Sequence, residues 1–173
     1  MSTTEPHGVD AATRAELDAR RAELAARYLR PRDQRPPSSA RGVHHAAHIC
    51  SDVERTVQFY DGLLEFPLIE MFENRDYAGS THFFFDIGNG NCLAYFDLPG
   101  LPLRPYEEVL GGHHHLAISV ERGRWEHLKA KLEAAGVETA HVDGSSLYFR
   151  GPDGERLELI SDPLGEMYGK SVG

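Results

Sequence analysis

The sequence predicts an α+β fold built from two β-α-β-β-β modules, with an extra helix ahead of them. Three observations predict it. A histidine-opened strand runs into a helix across residues 42–60, and the same order restarts at residues 112–120, with His115 seventy positions after His45; such an internal repeat fixes architecture before any single element does. Behind each helix lie three short apolar runs separated by Gly, Asn, Pro or Asp, the pattern of strands joined by turns. The last two runs flank Gly151-Pro152-Asp153-Gly154, a hairpin signal with a mechanism: Pro fixes its own φ and Gly accepts a positive one.

The length of 173 residues suits one compact domain or two small modules sharing a core. A formal charge of −9 argues against nucleic acid, which needs a basic face. No apolar run approaches the roughly 20 residues of a membrane span, and the N-terminus lacks the basic and apolar regions of a signal peptide. Two cysteines, Cys50 and Cys92, make no disulfide framework and fit a reducing compartment. A cytoplasmic protein that handles a small molecule is the expectation.

Taken in order, residues 1–41 form an N-terminal helical arm and linker. Thr13-Arg14-Ala15-Glu16 matches a capping box, and Leu17, Leu24 and Tyr28 share one face of the helix that follows. That face packs on its own domain or serves as a dimer arm. Pro31, Pro36 and Pro37 end the helix and isolate it. Module one spans 42–98. Strand 43–50 leads, through Asp52 as cap, to a helix over 53–64 with an apolar stripe of Val53, Val57, Tyr60 and Leu64. Strands follow at 66–72, 81–87 and 92–96, the last two joined by Gly88-Asn89-Gly90-Asn91. Residues 99–111 are a connector rich in Pro, Gly and Leu. Module two spans 112–162: strand 114–120, a helix over 122–135 stopped by Gly136, strand 137–142, a turn at Asp143-Gly144, and strands at 147–149 and 156–160. Residues 163–173 are a tail.

The His45…Asp52…Phe59-Tyr60 spacing, the 112–120 segment, and Pro152-Asp153-Gly154 leading to Leu157-Glu158-Leu159 together resemble the vicinal-oxygen-chelate superfamily over about residues 42–162. That superfamily includes glyoxalase I, extradiol dioxygenases, fosfomycin-resistance enzymes and bleomycin-binding proteins. The resemblance implies a cup-shaped sheet around a metal site, with the helices outside. One departure is visible: Leu64-Glu65-Phe66 has Glu where the family has a capping Gly, which puts the helix exit in question.

Strand alternation combined with that resemblance sends His45 into the cup, together with His115, Ala117 and Ser119. Leu157 and Leu159 face the helix, so Arg156, Glu158 and Ile160 face inward. The implied metal ligands are His45, His115 and Glu158. Imidazole and carboxylate donors with positions left open suit non-haem Fe(II), with Mn, Ni, Co or Zn as competitors. The position of the fourth glyoxalase ligand is Ala94, which weighs against glyoxalase chemistry. Alternation directs His44, His48 and His114 to the helix side, and His48 is read as a satisfied core histidine. His82 lines the cup if Phe83, Phe85 and Ile87 pack on the helix; it is then a candidate acid–base residue, and otherwise a rim histidine.

Tyr148 precedes Glu158 by ten residues, the spacing of a tyrosine in extradiol ring-cleaving dioxygenases. His141, seven residues ahead of Tyr148, stands near the place of their catalytic histidine, but closer than the family pattern. Arg156 either holds a substrate anion or forms an ion pair. The resemblance therefore implies a homodimeric, metal-dependent enzyme of the extradiol-dioxygenase type acting on vicinal oxygens. A glyoxalase-type lyase or isomerase and an antibiotic-sequestering protein are the alternatives.

Overall fold

The structure is a computed structural model describing residues 9–171 except 105, 143 and 168. It divides into two units, Met1–Arg41 and Gly42–Gly173.

Among its described residues, the first unit is one helix and a short turn. Helix α1, Ala11–Tyr28, is capped by Asp10, whose side chain accepts from the Thr13 backbone N–H at 2.8 Å. The capping box expected at Thr13–Glu16 is therefore not the cap: an Asp at the true boundary satisfies the orphan donor first. No residue of α1 is buried. A single 3-10 turn, Arg32–Gln34, follows Pro31.

The second unit holds both modules. β1 (His45–Cys50), β2 (Leu68–Glu73), β3 (Thr81–Asp86) and β4 (Cys92–Asp97) form one four-stranded sheet in the order β1-β4-β3-β2. β5 (Leu116–Ser119), β6 (Thr139–Val142), β7 (Ser146–Arg150) and β8 (Arg156–Ile160) form a second in the matching order β5-β8-β7-β6. In each sheet the first strand pairs parallel with the last, and the other pairs are antiparallel. The repeat is thus topological as well as sequential. The expected tail contains a two-residue hairpin, β9 (Glu166–Met167) with β10 (Lys170–Ser171).

The helices cover one face of each sheet. Phe83, Phe85, Leu93 and Tyr95 from the first sheet and Ile118, Leu147, Phe149, Leu157 and Leu159 from the second bury into one core with Tyr60, Leu64, Trp125, Leu128 and Leu132. Helix α3, Arg122–Ala134, is fixed to β8 by the Trp125 indole donating to the Leu159 carbonyl at 3.0 Å. It ends where expected, with Gly136 at φ 76°.

The helix of module one departs from the expectation. Helix α2 runs only over Val53–Val57, capped by Asp52, and continues as one wide π-type turn over Gln58–Leu63. The Glu65 exit is explained by its side chain. Glu65 takes φ 59°, a conformation that costs a non-glycine residue about 1–2 kcal/mol. Its carboxylate offsets that cost by accepting from Arg124 at 2.7 Å and Lys131 at 2.9 Å and meeting His127 at 2.8 Å, all on α3. The Pro152-Asp153-Gly154 turn also joins the modules: Asp153 accepts from the Ser51 backbone N–H at 2.8 Å and pairs with Arg55 at 2.6 Å.

Candidate metal centre

The two uncovered sheet faces carry the expected site residues. On the first sheet, the register places His45 beside Cys92, Ala47 beside Ala94 and Ile49 beside Phe96, with Ala94 beside Phe84 and Phe96 beside His82. On the second, Ala117 lies beside Glu158 and Glu158 beside Tyr148. Alternation therefore assigned these faces as the structure does.

His115 and Glu158 come together. The His115 Nε2 lies 3.0 Å from the Glu158 Oε2, and Glu158 is only 4% exposed. Burial lowers the His115 pKa despite the opposing carboxylate, which favours the neutral form of the imidazole. Tyr148 meets the His115 ring edge-on at 5.6 Å, and the Arg156 guanidinium sits 5.0 Å over the Tyr148 ring. Arg156 also reaches Glu108 at 3.1 Å, so both outcomes weighed for it, a substrate anion and an ion pair, stay within its reach.

His45 is not part of this pair. It opens β1 on the first sheet, with its Nδ1 2.8 Å from the Nδ1 of His44 and its ring 6.3 Å from Phe84. Among the described residues, no three His, Cys, Asp or Glu side chains of one chain lie close enough to hold a metal ion.

His82 stands on the same open face as His45, inside an aromatic group. Its ring stacks on Phe96 at 3.8 Å, with Phe84 at 4.3 Å and Phe72 at 5.2 Å. Its Nε2 is shielded and has no hydrogen-bond partner, and burial followed by the nearby His45 lowers its pKa. His141 requires a correction. It pairs with Leu147, on the helix-covered side of β6, and its ring packs 5.1 Å from Trp125. Tyr148 occupies the other face of β7, so His141 does not stand beside it.

His114 also differs from expectation. β5 begins only at Leu116, so residues 113–115 precede the alternating strand. The His114 Nε2 lies 3.1 Å from Arg156, and its Nδ1 lies 2.6 Å from that of His115. His48 lies on the helix-covered side as expected, stacked on Tyr95 at 5.5 Å, but its shielded Nε2 makes no hydrogen bond, so it is not the satisfied core histidine expected.

The fit to a metal can be judged from the donors. Two ligands held cis at about 2.1 Å on one octahedral ion lie about 3.0 Å apart, and His115 and Glu158 have that spacing. A buried carboxylate opposite a neutral imidazole is a suitable pair. One chain brings together two of the three implied donors.

Comparison with known proteins places this architecture. The profile of the Glyoxalase/Bleomycin resistance protein/Dioxygenase superfamily matches residues 42–159. The metallothiol transferase FosB of Shouchella clausii (strain KSM-K16) is 28% identical over 133 residues, covering 72% of this chain and 83% of that protein. The putative ring-cleaving dioxygenase MhqA of Bacillus subtilis (strain 168) is 24% identical over 139 residues, which cover 76% of this chain and 43% of that protein. Among solved structures, the glyoxalase family protein from Enterococcus faecalis is 31% identical with a TM-score of 0.57, over 69% of this chain and 97% of that one. With the profile spanning both modules and their sheets in matching order, the chain belongs to the Glyoxalase/Bleomycin resistance protein/Dioxygenase superfamily.

Proposed function

We propose that this chain is a divalent-metal-dependent enzyme acting on a small molecule with two adjacent oxygens, and that its metal centre is shared between two copies. The observation that carries the reading is the 3.0 Å separation of the His115 Nε2 and the Glu158 Oε2 on an open sheet face. The third implied donor, His45, lies on the other open face of the same chain. A second copy that sets its module-one face against this module-two face supplies His45 and closes a cup. Exposed apolar side chains on the module-one face, Ile49 at 55% and Phe72 at 45%, support such a contact, because uncovered apolar patches mark interaction sites.

When bound, the metal supplies Lewis acidity and a template for two-point chelation. Tyr148, packed against His115, is placed to donate a hydrogen bond to a substrate oxygen there. Arg156 stands behind Tyr148 and attracts negative charge. Across the cup, Phe72, Phe84, Phe96 and His82 offer an aromatic wall that excludes water.

The finer chemistry proposed is ring cleavage of a catechol-like substrate by an Fe(II) form. It is supported by the three-donor set, by Ala94 where a fourth ligand would stand, and by the aromatic wall. A second reading, addition of a nucleophile to a small anionic substrate under Mn or Zn, is favoured by Arg156 and by the FosB relative. The test is reconstitution of untagged protein with Fe(II), Mn(II), Ni(II) or Zn(II). The first reading requires O₂ uptake by the Fe(II) form with a catechol panel. No uptake, together with thiol addition to an epoxide under Mn(II), would replace it with the second.

A further inference from the structure

The two implied ligand histidines share a local sequence. Gly42-Val43-His44-His45 opens module one and Gly112-His113-His114-His115 opens module two, so each ligand follows directly on another histidine. In a regular strand two consecutive side chains point to opposite faces. Here the first of each pair lies ahead of the ladder, since β1 begins at His45 and β5 at Leu116, and the two rings meet.

They meet in the same way twice. The Nδ1 atoms of His44 and His45 lie 2.8 Å apart, with ring centres 5.1 Å apart and planes at 78°. Those of His114 and His115 lie 2.6 Å apart, with ring centres at 4.9 Å and planes at 73°. Two ring nitrogens at such a distance share one proton, so one ring donates and the other accepts. In both pairs the contact uses the ligand's Nδ1 and leaves its Nε2 for another partner. The His115 Nε2 is the atom that faces Glu158.

We infer that His44 and His114 are positioning residues for the metal centre: each accepts the Nδ1–H of the histidine after it when that ring's Nε2 holds the ion. The inference rests on the metal-centre reading above. A ligand imidazole needs a partner on its second nitrogen to fix its tautomer and orientation, a role usually filled by a carboxylate or a carbonyl. Here a second imidazole fills it.

Around His114 the proton order follows from the neighbours. Arg156 has only donors, and its Nη1 lies 3.1 Å from the His114 Nε2. That contact makes the His114 Nε2 an acceptor and puts the His114 proton on Nδ1. The His115 proton is then on Nε2, where it donates to Glu158 at 3.0 Å. Ligation at the His115 Nε2 requires the opposite order. His115 donates from Nδ1, and His114 carries its proton on Nε2, towards Glu108, whose Oε1 is 3.6 Å away. Each ring keeps one proton, so the exchange is a change of tautomer and not of charge. The Arg156 donor turns from His114 to Glu108, already 3.1 Å away.

The experiment measures the Zn(II) affinity of the full-length, untagged protein against a chromophoric chelator. The nitrogen shifts of the histidine rings are followed at about pH 8, above the ordinary histidine pKa of about 6.5. On adding Zn(II), the His115 proton is expected to move from Nε2 to Nδ1 and the His114 proton from Nδ1 to Nε2. His114→Phe should weaken Zn(II) about ten- to hundredfold. His114→Asn, whose side-chain oxygen can accept in place of Nδ1, should recover affinity to within about threefold of the wild type. His44→Phe and His44→Asn repeat the comparison in module one. A merely structural role would not separate Asn from Phe. Unaltered affinity in the Phe variants, or equal loss in Phe and Asn, would overturn the assignment. His115→Ala separates the two readings. If it binds Zn(II) as tightly as the wild type, the metal lies elsewhere and both fall; if it loses the ion while His114→Phe keeps it, the centre stands and the positioning role falls.

Discussion

The Nε2 of His115 faces the Oε2 of Glu158 at 3.0 Å, and this imidazole is a hydrogen-bonding partner of the carboxylate in the fold. The pair has a consequence for stability even before any metal is bound. Glu158 is 4% exposed, so His115→Ala leaves a buried carboxylate without this partner, at a cost of about 1–3 kcal/mol. Urea unfolding of metal-free protein should show that loss. Glu158→Gln should lower metal content at fixed free metal while keeping the shape of the site; unchanged metal content in that variant would place the metal elsewhere.

Glu65 makes a pH prediction. Its hydrogen bonds, first to His127 and then to Lys131, hold its pKa down at about 2 against an ordinary 4.5. A carboxylate with a depressed folded pKa binds protons more weakly in the folded state, so its contribution is complete above about pH 4.5 and is lost as pH falls towards about 2. Glu65→Gln should flatten the acid limb of the stability curve in that window, as followed by thermal melts from pH 6 to 2. In addition, Glu65→Ala should be less stable than Glu65→Gly by about 1 kcal/mol, since only glycine takes φ 59° without strain. Equal stability of the two would remove the account given for the helix exit.

Tyr148→Phe tests the chemistry. A hydrogen bond to a substrate oxygen that gains charge matters most in the transition state. Turnover should therefore fall by about tenfold or more with KM little changed. A rise in KM alone would make Tyr148 a binding residue.

Much of this was legible because alternation is a strong rule where strands are regular. Leu157 and Leu159 against Glu158 decided one face of β8, and the core agrees. The turns at Gly88–Asn91 and Gly136 followed from residues that accept positive φ. The rule failed where regular strand ends. Residues 113–115 precede β5, so alternation misdirected His114. For His141, spacing to Tyr148 was a poorer guide than register, which sets it opposite Leu147 on the covered side. The cap of α1 was missed because Asp10 competes with Thr13 as the first acceptor. Which faces meet in an assembly leaves no periodicity to read. The expected Asp143-Gly144 turn lies partly outside the described residues.

The N-terminal arm gives a simpler test. None of the residues of α1 is buried, and Leu17, Leu24 and Tyr28 are exposed. Deleting residues 1–41 should leave a chain that unfolds at the same urea midpoint as the full protein. Loss of soluble protein would show that the apolar face of α1 covers a surface in the assembly.

The shared centre is tested most directly by mixing two defective chains. In His45→Ala the third donor is gone, and in Glu158→Gln the carboxylate is gone, so neither homodimer holds a complete set. If the site forms between copies, a mixed dimer contains one site built wholly from native donors and one lacking two. Random re-association of equal amounts should then restore about one quarter of the wild-type metal content, half the dimers being mixed and one of their two sites intact. Elemental analysis of the re-associated protein decides it. Recovery near that fraction is the predicted result. Metal content no higher than the average of the two separate variants, in a sample shown by native mass spectrometry to contain mixed dimers, would contradict the shared centre.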